Sequence, residues 1–272
     1  MNRPMNRPMT TIRKVISSTI TKLLGTREQG GQLAALAMAA LAIKKLENEV
    51  RLSNRSLKAG RYGEAAKRSL NTFRTAGKTA EKIMDDRIPL SSRRKLTEVI
   101  AAVRIVSALD ISRAYDRLDP RKEGRKWLFR ALEIGEVSDG RVKEVAMKIL
   151  ATAEAFYIAG VISYSEGLEK ESEKHLWRQI EESEKQIGPF CDEKIRALCK
   201  LAIIACVRGD DEEGYRFHSR AYDCACVTRG RPRCSEEAKR ASFVKLVPPL
   251  VEETKRRIAE RMANEKGEVM TQ

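Results

Sequence analysis

The chain has 272 residues, of which 42% are hydrophobic and 33% charged, and its formal net charge is +15 at pH 7. This composition excludes a disordered chain and allows one large domain or two small ones with a hydrophobic core. Ala, Leu, Lys, Arg and Glu, all good helix formers, dominate, and no segment alternates apolar and polar residues for long enough to predict a strand. The composition therefore predicts an all-α protein with more than about 65% helix and essentially no sheet.

Apolar residues at spacings of three and four, interrupted by Gly and Pro, predict about ten or eleven helices in antiparallel pairs joined by short turns. After a polar N-terminal tail, an amphipathic helix is predicted over 10–25. The remaining helices of the first half are predicted over 32–59, 62–86, 92–118 and 120–135. The most apolar run, 33–43, is too short for a bilayer, which needs about 20 residues, so no membrane span is predicted.

In the second half, helices are predicted over 141–165, 168–187, 192–207 and 211–226. The helix over 141–165 is apolar around much of its circumference and should therefore be central. The last two helices are predicted as separate elements, 235–246 and 249–264. Pro248-Pro249 lies between them, and proline both lacks an amide hydrogen and disfavours a helix at the residue before it.

The excess positive charge is confined to residues 1–135, which contain 29 Lys and Arg against 13 Asp and Glu, whereas residues 136–272 contain 24 against 25. A positive field attracts nucleic acid, an anionic membrane or an acidic protein, and a merely solubilising surface is the alternative explanation. Charge and turns together divide the chain into four predicted parts. These are a tail and amphipathic helix at 1–31, basic helical hairpins at 32–135, near-neutral helical hairpins at 136–234, and capping helices with a tail at 235–272.

Many basic residues of the first half recur at spacings of three, four and seven, so they share helix faces that are able to follow a phosphate backbone. Few aromatic residues interleave with them and no base-reading motif is present, so the predicted binding is independent of sequence. The residues predicted to contact nucleic acid are Lys44, Lys45, Arg51, Arg55, Lys58, Arg61, Lys67, Arg68, Arg74, Lys78, Arg93, Arg94, Lys95, Arg121, Lys122, Arg125 and Lys126.

Small residues recur at fixed distances from the turns. In the segment 193–226, Gly209 follows the first helix, Gly214 comes five residues later and Ala221 seven after that. This spacing resembles a tetratricopeptide hairpin, in which small residues let two helices approach closely. The spacing recurs, wholly or in part, at Asp119, Gly124 and Ala131, at Gly60, Ala65 and Thr72, and at Gly160, Gly167 and Ser172, where Gln179 occupies the last small position.

The resemblance covers roughly residues 40–230 and implies an array of helical hairpins with a peptide-binding concave face. It departs from the family in its period, because the turns near 60, 119, 167 and 209 are 59, 48 and 42 residues apart instead of roughly 34. The two tryptophans, Trp127 and Trp177, also lie in second helices and not at the motif position. An ordinary helical bundle with small residues at its helix crossings is the alternative.

No catalytic constellation is present in the sequence. The two histidines, His175 and His218, lie on charged helices and are predicted to be exposed. No Gly-rich loop ends in Lys-Ser or Lys-Thr, and the acidic clusters lie at helix ends, where carboxylates offset the helix dipole. The sequence therefore predicts a non-catalytic protein with no cofactor and no bound metal.

The six cysteines lie within residues 191–234 and include no Cys-x-x-Cys pair, which argues against a structural zinc site. Buried thiols, or one to two disulfides, are the two explanations of the cluster. Asn and Gln are scarce, as in thermophile-like compositions, and proteins of hyperthermophiles form disulfides even inside cells. Cys226 and Cys234 are the predicted pair, because the basic loop between them has no other anchor.

Two functions follow from these patterns. One is a nucleic-acid-associated protein of the packaging or ribosome-associated type, cytoplasmic or inside a virion, which binds phosphates through its basic N-terminal half. The other is a tetratricopeptide-type scaffold that binds an acidic peptide or partner protein. The sequence leaves open whether the nucleic acid is DNA or RNA, and whether the protein forms an oligomer.

Overall fold

The computed structural model describes residues 30–84, 88–118, 123–232 and 234–269, without the side chains of 30–34, 261, 262 and 264–269. Ten helices hold 88% of these described residues, among which there is no strand. The predicted all-α fold is therefore confirmed. The helix predicted over 10–25 and the turn at Asp119-Pro120 lie outside the described residues.

The first of two compact units ends at Ala155. Its central helix carries apolar or small residues around most of its circumference, and Leu96, Val103 and Ala108 are each 0% exposed. The other helices of the unit all pack against it. In chain order these elements are α1 (Gly30–Lys58), α2 (Tyr62–Ile83), the central α3 (Leu90–Leu118), α4 (Glu123–Val137) and α5 (Gly140–Thr152).

The second compact unit begins at Phe156, one helix further along the chain than the change in charge at residue 136. Its elements are α6 (Ala155–Ser165), α7 (Glu169–Gln186), α8 (Asp192–Val207), α9 (Asp211–Thr228) and α10 (Glu236–Val269). Helices α7, α9 and α10 pack against α8. Leu198 and Ala202 of α8 are 0% exposed, so α8 supplies the centre of this core.

The prediction of one continuous helix over 141–165 is wrong, because Ala153 and Glu154 separate α5 from α6. Glu154 has a φ of 57°, in the left-handed region that a residue with a Cβ rarely adopts. The amide of Glu154 bonds to the carbonyl of Ala151 at 3.0 Å, so the last turn of α5 is tightened before the helix ends. Neither Gly nor Pro marks this break, so the sequence pattern did not indicate it.

No helix among the described residues is, taken singly, long and apolar enough to cross a membrane. Only α5 and α6 counted together reach that length and hydropathy, and the break at Ala153 and Glu154 divides them.

The prediction that Pro248-Pro249 separates two helices is also wrong, because both prolines lie inside α10. Val247 and Val251, one turn apart, are 3% and 6% exposed and form a cluster with Cys206 of α8. These contacts hold the chain in helical register on both sides of the prolines. Tertiary packing therefore outweighs the local preference of proline for a helix end.

Small residues lie at the helix crossings and turns where the hairpin spacing predicted them. A Cβ on Gly214 of α9 would lie 2.2 Å from the Cys206 sulfur and 3.1 Å from the Ala202 carbonyl oxygen of α8. A Cβ on Gly160 of α6 would likewise lie 2.8 Å from a side-chain carbon of Leu176 in α7. Gly209 has a φ of 92° in the turn between α8 and α9, a conformation that favours glycine.

Replacing Gly214 with alanine, and more so with leucine, should lower the free energy of unfolding by about 1–3 kcal/mol, because α8 and α9 would have to move apart. The matched control is Gly77→Ala in α2, where a Cβ would meet nothing within 4 Å. There the added methyl should stabilise by about 0.5–1 kcal/mol, as usual inside a helix. Urea denaturation measures both changes, and an unchanged stability in Gly214→Ala would contradict the tight crossing.

Candidate nucleic-acid interface

Helices α1 and α2 form an antiparallel hairpin that fixes the positions of many predicted basic residues. The hydroxyl of Ser53 lies 2.5 Å from that of Ser69 and donates to the carbonyl oxygen of Ala65 at 3.2 Å. Counting equal helical rises outward from these contacts brings residues 44 and 45 of α1 level with residues 74–78 of α2. The hairpin therefore gathers charges that are about thirty residues apart in the sequence.

Four cations form a stripe along the outward face of α2, and we refer to Lys67, Arg74, Lys78 and Lys82 as the α2 stripe. Their spacings of seven, four and four keep them on one side of the helix, opposite its buried residues. All four are exposed, and no ion pair or hydrogen bond engages their side chains within the described part of the chain. Lys82 was not among the predicted contacts, although the same spacing includes it.

Other predicted residues are exposed around the α2 stripe or near it in the chain. Lys44, Lys45 and Arg55 of α1 are exposed and, like Arg94 of α3, have no charged partner among the residues described. Lys58 is exposed, and Lys95 is half-buried. The surface of α1 and α2 thus presents more cations than the α2 stripe alone.

A second group of predicted residues is engaged by acidic or polar groups of the protein itself. Glu64 accepts from Arg68 at 2.9 Å and from Arg61 at 2.8 Å, and these hydrogen bonds lower the pKa of the Glu64 carboxyl. Lys126 contacts Glu123 at 2.6 Å. Exposed ion pairs of this kind contribute little stability, but each cancels a charge that would otherwise attract an anion.

The remaining predicted residues are held by polar atoms near them or are not described. Arg51 donates to the Asn48 side chain at 3.1 Å. Arg93 donates to the Ile88 carbonyl oxygen at 2.7 Å, so its guanidinium is engaged by the backbone just before α3. Arg125 is half-buried and interacts with other groups. Arg121 and Lys122 lie outside the described residues.

Three residues that the sequence analysis did not select meet where α2, α3 and α4 come together. The rings of Phe73 and Trp127 pack edge to face, with centroids 5.1 Å apart and an interplanar angle of 83°. The guanidinium carbon of Arg104 lies 4.9 Å from the centre of the Phe73 ring. No spacing along the chain indicates this cluster, because each residue comes from a different helix.

The histidines and cysteines of the second unit form packed clusters. The prediction that His218 is exposed is wrong: it is 7% exposed, because α10 covers it, and its Nε2 lies 3.2 Å from the Ser242 hydroxyl. The sulfur atoms of Cys226 and Cys234 are 3.2 Å apart as free thiols, and a disulfide between them stays a prediction. Within the described ranges, no group of His, Cys, Asp and Glu is arranged to hold a metal ion.

The described geometry offers anion binding through side-chain cations on the surface of α1 and α2. Such a surface attracts phosphates most strongly when its cations form no ion pairs with acidic residues, and the α2-stripe cations form none with the described residues. Comparison with known proteins adds no identification, since no family model, curated protein or solved structure matches this chain.

Proposed function

We propose that this protein binds the phosphate backbone of nucleic acid through α1 and α2, without catalysing a reaction, as a packaging or ribosome-associated protein would. The observation that carries the proposal is the α2 stripe, with four exposed cations and no internal partner in the described residues. From residue 67 to residue 82 the stripe extends about 22 Å along the helix axis, long enough for several successive phosphates. The proposed setting is the cytoplasm, or a virion if the protein packages a genome.

The second unit supports the proposal by contrast, because its acidic residues pair with its cations. Arg208 contacts Glu213 at 2.7 Å and Glu173 at 3.1 Å, and it also reaches Glu169. Lys239 is 2.9 Å from both Asp223 and Glu236. These cations of the second unit are therefore paired locally, whereas the α2-stripe cations form no ion pair within the described ranges.

Changing Lys67, Arg74 and Lys78 together to glutamate should reduce affinity for nucleic acid by roughly a hundredfold at low salt, because phosphate contacts become repulsive. The matched control changes Lys170, Arg229 and Lys245 of the second unit, which are also exposed and have no acidic partner among the described side chains. Fluorescence anisotropy with labelled duplex and single-stranded oligonucleotides measures both. Equal losses in the two triple variants would mean that the protein has no dedicated surface.

Affinity for duplex DNA should also fall steeply with salt, because each neutralised phosphate releases condensed counterions. With about five phosphate contacts, the affinity should fall as roughly the fourth to fifth power of salt concentration. In the variant with glutamate at Lys67, Arg74 and Lys78, this exponent should be smaller by about two to three. Oligonucleotides of different sequence should bind equally well. A preference of more than about tenfold for one sequence would contradict backbone-directed binding.

A scaffold for an acidic peptide or protein is the second candidate. The close crossings at Gly214 and Gly160 favour it, because small residues at these positions are what a tetratricopeptide-like hairpin requires. If the protein binds an acidic peptide with an affinity that does not change with salt, and does not bind nucleic acid, this second proposal replaces the first.

A further inference from the structure

Arg104 of α3 is the half-buried arginine that contacts Phe73 in the Phe73 and Trp127 cluster. Its Nε is buried and makes no hydrogen bond, while its guanidinium carbon lies over the Phe73 ring. An arginine held in this way usually faces a carboxylate, because a buried charge is unfavourable without a counter-charge. In the described part of the chain, no acidic side chain pairs with Arg104.

The charge that contributes to the pKa shift of Arg104 has the same sign. Burial, and then repulsion from Arg130 of α4, lower the pKa of Arg104, although an arginine side chain remains protonated at any ordinary pH. Arg130 is itself exposed and bonds to Glu133 one turn later on α4. Glu133 pairs with Arg130 and not with Arg104, so the cluster keeps the positive charge of Arg104.

The surroundings of this charge are suited to a phosphate group. Guanidinium nitrogens bind phosphate oxygens through planar, paired hydrogen bonds. The indole N–H of Trp127 makes no hydrogen bond with the described residues, and Trp127 lies one turn before Arg130 on α4. Arg74 of the α2 stripe is the next residue after Phe73, so the cluster lies beside the proposed backbone-binding surface.

We infer that Arg104 and Arg130, with Trp127 beside them, form a binding site for one phosphate group. The assignment of this site to a nucleic-acid phosphate rests on the proposed function. Its assignment to free phosphate is independent of that function. Among the described residues Arg104 contacts the Phe73 ring and has no acidic partner, and a bound phosphate supplies a counter-charge.

Trp127 gives a direct readout, since the protein contains only two tryptophans and Trp177→Phe removes the other. In the full-length Trp177→Phe protein, sodium phosphate at constant ionic strength should cause a saturable change in fluorescence. Adding Arg104→Met, which keeps an unbranched apolar stem without the charged guanidinium, should abolish that change. Arg130→Gln, at an exposed position, tests the same site without disturbing the interior and should weaken phosphate binding about tenfold or more.

The second unit provides a control arginine beside an aromatic pair. In the unsubstituted protein Trp177 packs edge to face against Phe217, and Arg220 lies 5.8 Å from the Trp177 ring. Arg220→Met in the Trp177→Phe parent, where a phenylalanine replaces that indole, should leave the response of Trp127 to phosphate unchanged. The inference is overturned if phosphate gives no saturable change, or if Arg104→Met and Arg130→Gln respond as their parent does.

Single-stranded oligothymidylate distinguishes failure of this site from failure of the proposed function. If the site binds a backbone phosphate, Arg104→Met and Arg130→Gln should each weaken oligonucleotide binding by about tenfold to a hundredfold, as for one charged hydrogen-bonded contact. Unchanged oligonucleotide affinity in both variants overturns the nucleic-acid assignment of the site but leaves the α2 stripe standing. A response to free phosphate with no oligonucleotide binding in any form of the protein supports the site and overturns the proposed function.

Discussion

Asp110→Asn should stabilise the first unit by up to about 4 kcal/mol at pH 8 and by almost nothing at pH 3. Asp110 of α3 is 0% exposed, and burial raises the pKa of its carboxyl to about 7. Arg113 acts in the opposite direction, but its nearest nitrogen is 3.5 Å from Oδ1, and both carboxylate oxygens lack a normal hydrogen bond. Burial therefore outweighs the ion pair.

The direction of the pH effect follows from this raised pKa. The folded protein binds the Asp110 proton more tightly than the unfolded chain does, so stability decreases as pH rises from about 4 to about 7. Above pH 7 the folded state contains a buried carboxylate, and its unfavourable free energy is fully present. Asparagine resembles the protonated acid and removes this dependence.

Urea denaturation between pH 3 and pH 8 measures the effect, with Trp127 fluorescence in a Trp177→Phe background reporting on the first unit. Arg113→Gln should raise the pKa of Asp110 further and extend the loss of stability to higher pH, because it removes the only opposing charge on that carboxyl that the structure describes. Glu136→Gln, at an exposed position on α4, is the control and should leave the pH profile unchanged. A stability difference between Asp110→Asn and its parent that does not vary with pH would contradict this account.

Most helices could be predicted from the sequence because their ends carry local signals. Gly60 and Gly209, with positive φ at the two hairpin turns, are examples, and helix 192–207 was predicted with the bounds that α8 has. The break at Glu154 and the continuity through Pro248-Pro249 could not be predicted in this way. The break at Glu154 has no Gly or Pro to mark it, and the continuity through the prolines is decided by contacts of Val247 and Val251 with α8, which override local preference.

The candidate site likewise has a part that the sequence predicts and a part that depends on the packing of helices. Periodicity along α2 selected Lys67, Arg74 and Lys78, since residues at spacings of four and seven share a face whatever the rest of the fold does. It also selected Arg68, which the structure pairs with Glu49 across the hairpin at 3.4 Å. Periodicity along one helix could not indicate the Arg104 cluster, because its position depends on how three helices pack together.

Replacing both Pro248 and Pro249 with alanine should stabilise α10 by about 3 kcal/mol or more, since an interior proline is about that much less favourable than alanine. The two prolines have no N–H to donate to the carbonyl oxygens of Val244 and Lys245. Both of those residues are exposed, so water is able to bond to their carbonyls, which lets the native helix tolerate the prolines. Alanine restores both hydrogen bonds within the helix.

Amide hydrogen exchange across α10 measures this change. Protection of residues 250–258 should rise by roughly a hundredfold in the double variant, because the segment then opens less often. Pro232→Ala, in the loop before α10, is the control and should leave this protection unchanged, because Pro232 is exposed and lies outside any helix. If protection beyond Leu250 does not increase, Val247 and Val251 do not hold one helix together, and α10 behaves as the two helices that its prolines predict.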